Sequence, residues 1–383
     1  MGEAPGSSPT ALQRASYIPT LDGWRAIAIL GVILCHASDA PLLAREGPGG
    51  FWHTLTRYGA EGVSLFFGLS GFLITYRLLQ ERLRSGTFAL GPFYGRRAFR
   101  ILPASMAYLL TVTALSALGV LAIHREDLQS TFLFYRNYLS PPGLGSWYTG
   151  HFWTLAIEEH FYLLWPGLLL LAGPRRALWL LPLLGVGVAG WRWVEIRFHP
   201  TAAWFPELGV STRTDIRIDG LLWGAFVALL LHDVAREQWL RRLFSSRLTW
   251  AALLAGVCVC LKGLVPLHAM GWALLIPFLF VGTVLHPTGW LGRLLESPPL
   301  AWVGRLSYSL YLWQQLFLVG GRQVGPLPLG VLQELPLSLV GALACAVLSH
   351  YVLERPLVRL GRRLFSSGER APEAAPVVAP VSS

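Results

Sequence analysis

The sequence predicts an all-α membrane protein, a bundle of about ten transmembrane helices with both termini cytoplasmic. Three observations carry this. Of 383 residues, 54% are apolar and only 14% charged, against about 25% charged in a soluble globular chain. Apolar runs near the length of a span recur along the chain, broken at Pro, Gly and charge clusters. The basic residues then sort unevenly between alternate loops, as they do in polytopic proteins. That topological bias accounts for the net charge of +10, so no nucleic-acid partner is expected.

The spans read as about 20–39, 61–80, 102–122, 152–172, 177–194, 217–232, 248–265, 270–286, 304–320 and 329–352. With the N-terminus inside, 21 of the 31 basic residues fall on cytoplasmic segments and ten outside. Residues 1–17 are polar and lack the apolar centre of a signal peptide, so they read as a disordered cytoplasmic N-terminus. The first span then serves as the insertion signal. The transmembrane domain covers 18–363, and 364–383 is a Pro/Ala/Val/Ser-rich cytoplasmic tail expected to be disordered. Cys35, Cys258, Cys260 and Cys345 lie inside apolar runs without ligand spacing and read as small core residues. No metal site is expected.

The first span, LDGWRAIAILGVILCHAS, carries an ionisable residue near each end. Arg25 and His36 are eleven residues apart, close to three turns, so they leave one face roughly 16 Å apart along the axis. Ionisable groups inside a span face a bundle interior or a water-filled cavity and mark functional sites by default. Snorkelling of Arg25 and a structural hydrogen bond for His36 are the plainer reading. The second span holds Ser70-Gly71, a small hydroxyl-bearing surface or a packing seam. In GRRAFRILP, Arg97 and Arg100 share a helix face, and such a pair suits phosphate oxygens bidentately or simply marks the inner surface. Glu158 and Glu159 interrupt the apolar aromatic helix HFWTLAIEEHFYLLWP. Counted from the outer ends of their spans, Glu158 and His36 come to comparable depth, so a carboxylate could orient the imidazole. His151 and His160 read as interfacial or surface residues. Arg217 and Asp219 open the sixth span, where they either bind a polar acceptor or pair locally.

Taken together, LDGWRAIAILGVILCHA, GVSLFFGLSGFLIT, RRAFRILP, FWTLAIEEHFYLLWP, TDIRIDGLLWGA, GRLSYSLYLW and VLERP resemble, in order, the acyltransferase family 3 integral membrane proteins. The resemblance runs from about residue 18 to 358. It implies transfer of an acyl group, commonly acetyl, from cytoplasmic acyl-CoA to a hydroxyl of a sugar, glycan, lipid or secondary metabolite. Arg25 and His36 fall on that family's R-x10-H motif, and Arg97 and Arg100 on its RxxR motif. Glu158 falls on the acid of the W-[ST]-L-x-x-E pattern behind Trp153, and Ser70 on the S-G-[YF] motif. The departures are Ser64, where many members have Asp, and Gln314, where others have His.

The expected machinery is therefore His36, Glu158 and Arg25 as catalytic residues, with Arg97 and Arg100 holding acyl-CoA. Ser70, Trp153, Arg217 and Asp219 are the candidate substrate-binding residues. Besides acyl-CoA and a hydroxyl-bearing acceptor, the partners are membrane lipids, and the location is the inner (plasma) membrane. Some members carry a fused esterase-like domain; too few residues follow Arg363 for one, so a second transfer step would need another protein. The competing class is a proton-coupled small-molecule transporter built on the same intramembrane His, Glu and Arg residues. Substrate flux without acyl-CoA consumption would distinguish it.

Overall fold

A computed structural model describes residues 12, 15, 17–37, 51–139, 145–201, 212–263, 268–319 and 327–365. The regular elements among them are all helical, with no strand among the described residues. The expectations of disorder for 1–17 and 364–383 fall almost wholly outside the described residues.

We number the ten principal helices in chain order. These are α1 (Thr20–Ala37), α2 (Gly62–Ser85), α3 (Leu90–Ala117), α4 (Phe152–Phe198), α5 (Asp219–His232), α6 (Arg247–Leu261), α7 (His268–Leu285), α8 (Pro298–Phe317), α9 (Leu337–Leu348) and α10 (Arg355–Leu364). Shorter helices, among them Trp147–Gly150 and Thr214–Arg217, fill the connections, and a π-helical turn, Ser349–Glu354, joins α9 to α10. By length and apolarity, six helical stretches are able to cross a membrane. They become seven if the pair Val234–Ser245 and α6, bent by 85°, forms one span.

The difference from the expected ten has physical causes. Helix α4 is continuous over 47 residues except at Gly173, where φ is 73° and ψ 159°. At 1.5 Å per residue it would run roughly 70 Å, over twice the hydrocarbon thickness. The Gly173-Pro174 break turns it back, as the separate readings of 152–172 and 177–194 require. Helix α5 has only 14 residues, roughly 21 Å.

Contacts give the helices from α1 to α9 a direction. On α8, Gly304 packs against the Asp22 backbone and Gln314 reaches His36, so α1 and α8 run in parallel. Gly62 packs against Ala28 and Val32, so α2 runs against α1. The first half of α4 follows α2, with Ser70 bonded to Glu158 and Thr75 to Trp165. The second half opposes α5, with Gly185 on Trp223 and Arg192 on Asp219. Gly271 on Cys260 and Gly282 on Trp250 set α6 against α7. Gly341 on Phe317 and Ser309 bonded to Glu354, just past α9, set α9 against α8, and Ile101 on Tyr308 with Tyr108 on Trp313 sets α3 along α8. Counting the halves of α4 separately, direction alternates from α1 to α9.

The close crossings rest on glycine. A Cβ on Gly71 would strike the Leu221 carbonyl, and one on Gly224 the Gly68 carbonyl. These contacts bring the α2 and α5 backbones together, the small-residue packing that membrane helices use in place of a hydrophobic driving force. Three buried apolar clusters follow from this arrangement. Between them α1, α2, α3, α4 and α8 enclose the polar residues of the site.

Candidate active site

The site has two levels along α1. At the upper level, Gln315 Nε2 donates to the Trp147 carbonyl at 2.8 Å. Gln314 Nε2 donates to Gln315 Oε1 at 3.1 Å, which leaves Gln314 Oε1 facing His36 Nδ1 at 2.8 Å. A carboxamide oxygen only accepts, so Nδ1 carries the hydrogen and the neutral ring keeps its basic lone pair on Nε2. Both glutamines are buried, at 0% and 2% exposure. The imidazole also stands edge-on to Trp147, with centroids 5.0 Å apart.

His151 belongs to the same wall. It is 3% exposed, not interfacial, and neither ring nitrogen has a hydrogen-bond partner. Its ring sits among Tyr108, Phe152 and Tyr311. His160 is half-buried and its Nδ1 meets Thr214 Oγ1 at 2.7 Å.

The lower level surrounds Arg25. Asp22 lies 3.9 Å from Arg25 and accepts from the Tyr17 hydroxyl at 2.5 Å. Ser70 donates to Glu158 at 2.7 Å. Arg97 lies over the Tyr162 ring at 3.5 Å with its Nε buried and unpartnered. Arg100 shares this chamber with Arg25 and Arg97.

The expected pairing of Glu158 with His36 is not formed. Since α2 runs against α1 with Gly62 at Ala28 and Val32, Ser70 and Glu158 come opposite the stretch around Arg25. The depth count assumed that span one ends and span four starts at one outer plane. Instead α4 starts inside the protein, where Phe152 is 1% exposed and packed on Tyr108. The carboxylate thereby drops to Arg25's level. Sequence reasoning missed the group that holds His36, because Gln314 lies 278 residues away. Its only signal was the departure from His at that position.

The candidate substrate residues separate similarly. Arg217 lies over the Trp153 ring at 5.5 Å with its Nε buried and unpartnered. Trp153 is edge-on to Phe67. Asp219 is taken instead by Arg192, through bonds of 3.1 and 2.9 Å. Together with Ser64 and Gly220, Arg192, Arg217 and Asp219 line a recess beside α2. Ser70 lies deeper, committed to Glu158. Among the described residues, no group of three His, Cys, Asp or Glu could hold a metal ion.

Fold and site together define a multi-pass helical membrane protein with a half-buried histidine above an arginine-rich chamber. This chain belongs to the acyltransferase 3 family: the family model, described as an acyltransferase domain, matches residues 18–351. It is 29% identical over 322 residues to the peptidoglycan O-acetyltransferase OatA of Listeria monocytogenes, covering 78% of this chain and 49% of that protein. It is also 29% identical over 396 residues to YrhL of Bacillus subtilis, named as a candidate peptidoglycan O-acetyltransferase, covering 92% and 57%. A candidate O-acetyltransferase of Staphylococcus aureus is 26% identical over 339 residues, covering 79% and 51%. The chain thus spans about half the length of these curated relatives. No solved structure matches it.

Proposed function

We propose that this chain is an O-acyltransferase of the plasma membrane, crossing ten times with both termini cytoplasmic. It moves an acyl group, acetyl in the simplest case, from cytoplasmic acyl-CoA to a hydroxyl of a glycan at the outer face. The names of the relatives support the acetyl group and the glycan. The alternating helix directions and the charge count support the ten crossings. The observation that carries the reaction is the tautomer lock on His36, one face of α1 above the arginine chamber.

A hydroxyl is too weakly acidic to attack a thioester rapidly at neutral pH, so a base must take its proton. His36 Nε2 is placed for that role. As the acceptor oxygen bonds to the thioester carbon, Nε2 receives the hydroxyl proton, and the C–S bond breaks to release the thiolate. The imidazolium then returns the proton to the sulfur. Gln314 keeps Nδ1 protonated throughout and so reserves Nε2 for the acceptor. Arg97 and Arg100 hold the donor's phosphates, a role supported by the buried, unpartnered Nε of Arg97 and by the gathering of Arg100 with Arg25 and Arg97. Arg25 stabilises negative charge near the thioester arm. Glu158, held by Ser70, faces Arg97 and fixes the chamber's geometry.

The two levels match the donor's length. Arg25 and His36 are roughly 16 Å apart along α1. An extended pantetheine arm spans roughly the same distance at ordinary bond lengths. Phosphates held low in the chamber thus place the thioester near His36. Arg217, in the recess beside α2, and Trp153, whose ring it overlies, supply a cation and an aromatic face for the acceptor.

Reconstituted vesicles given labelled acetyl-CoA test both roles. His36→Ala abolishes acyl transfer while retaining CoA binding, and normal turnover in that variant would sink the base role. Arg97→Ala weakens CoA binding, and unchanged affinity would sink the docking role.

A further inference from the structure

The lower chamber holds more positive charge than the Arg97–Arg100 pair supplies. Arg77 lies on α2 seven residues beyond Ser70, hence on nearly the same face and roughly 10 Å closer to the cytoplasm. Its charged neighbours are Arg362 on α10, Arg97, Arg25 and Arg96, with no acid among them. Arg100 likewise faces Arg25, Arg77 and Arg97. Neither Arg77 nor Arg100 forms an ion pair or side-chain hydrogen bond among the described residues. Arg77 and Arg362 nevertheless stay solvent-accessible.

Like charges gathered from four helices repel one another, and the arrangement becomes favourable when an anion joins them. Other acids nearby are already engaged. Glu81 pairs with Arg96 at 3.0 Å, Asp22 with Arg25, and Glu158 and Glu159 face Arg97 from α4. That leaves Arg77 and Arg362 as two guanidiniums open to the cytoplasm without a counter-charge among the described residues. A phosphate monoester, with a charge of about −2 at neutral pH, matches them in charge and in bidentate geometry.

We propose that Arg77 and Arg362 form a second phosphate site, separate from Arg97 and Arg100, that binds the 3′-phosphate of the donor's nucleotide. This rests on the acyl-CoA reading above and deepens it. The Arg97–Arg100 pair takes the diphosphate that CoA shares with dephospho-CoA, and Arg77 reads the group that distinguishes them. A donor presented on a carrier protein lacks the nucleotide and leaves the Arg77 site unfilled.

Equilibrium binding of CoA and dephospho-CoA to the full chain in neutral-lipid nanodiscs tests this without an acceptor. The wild-type protein binds CoA about tenfold more tightly than dephospho-CoA, the scale of one charge-assisted bidentate contact. Arg77→Gln weakens CoA to the dephospho-CoA level and leaves dephospho-CoA unchanged, so the ratio of dissociation constants falls to about one. Arg77→Lys keeps part of the preference, and Arg97→Gln weakens both ligands together. Arg175→Gln, at the distant cytoplasmic turn of α4, changes neither and controls for general surface charge. Equal weakening of both ligands by Arg77→Gln, or no wild-type preference, overturns the proposal. A wild-type preference that disappears only when phosphatidic acid is added shows that a lipid phosphate can compete for the site. A preference absent in neutral lipid as well excludes the 3′-phosphate. Failure of the wild-type protein to bind either nucleotide rejects the acyl-CoA reading itself, a result distinguishable from all of these.

Discussion

Gln314 holds its oxygen to His36 and its amide hydrogens to Gln315, so one buried carboxamide decides which imidazole nitrogen is basic. Removing it without changing the size of the side chain much separates positioning from binding. Gln314→Leu lowers kcat roughly tenfold, the scale of one net hydrogen bond, while the KM for acetyl-CoA stays within about twofold. Gln314→His, which restores a polar ring where other members carry one, recovers most of the turnover. Steady-state kinetics on reconstituted protein check both, and a raised KM with unchanged kcat would assign Gln314 to donor binding instead. At this scale the sequence was half legible. Arg25 and His36 were found because eleven residues is a helical multiple, and Arg97 with Arg100 because three is another. Gln314, Arg77 and the unpartnered His151 were not, because their significance comes from neighbours on other helices. Glu158 was recognised as unusual and then given the wrong partner, since its depth depends on where α4 begins.

Helix α4 shows what an element adds to its residues. Its reversal depends on Gly173, whose φ of 73° with ψ of 159° is a region that only glycine occupies readily. Gly173→Ala therefore costs about 1–3 kcal/mol and lowers the thermal midpoint of detergent-purified protein. Gly167→Ala, in the same helix with open space around the added carbon, leaves it unchanged. Gly224→Val is more severe, because the α2 and α5 backbones must separate to admit it. Loss of the monodisperse peak in size-exclusion chromatography is the expected outcome. A melting curve for Gly173→Ala that overlays the wild type would show that the turn does not need glycine. Gly173-Pro174 marked the break in the sequence, since both residues interrupt helices. The α2–α5 crossing was visible only as a possible seam at Ser70-Gly71, because the partner glycine, Gly224, lies on another helix far along the chain.

The whole molecule poses a question of counting. Length and apolarity select six helices, whereas charge distribution and helix direction both alternate through ten segments. The two differ because function dilutes the apolar signal: α8 carries Arg305, Gln314 and Gln315, α5 is short, and α4 hides two segments in one helix. Ten crossings make a definite prediction about two exposed residues. Arg175 follows the reversal in α4 and belongs to the cytoplasm, and Lys262 follows α6 and belongs outside. With the four native cysteines replaced by serine or alanine, Arg175→Cys in intact spheroplasts reacts with an impermeant maleimide only after permeabilisation. Lys262→Cys reacts at once. If α4 instead spanned only once, or the bend before α6 were re-entrant, the parity between these positions would shift and both would label from one side. Three segments separate these positions, the second half of α4, α5 and α6. Equal labelling of both cysteines would leave an even number of crossings between them, reduce the total from ten, and place the two termini on opposite sides of the membrane.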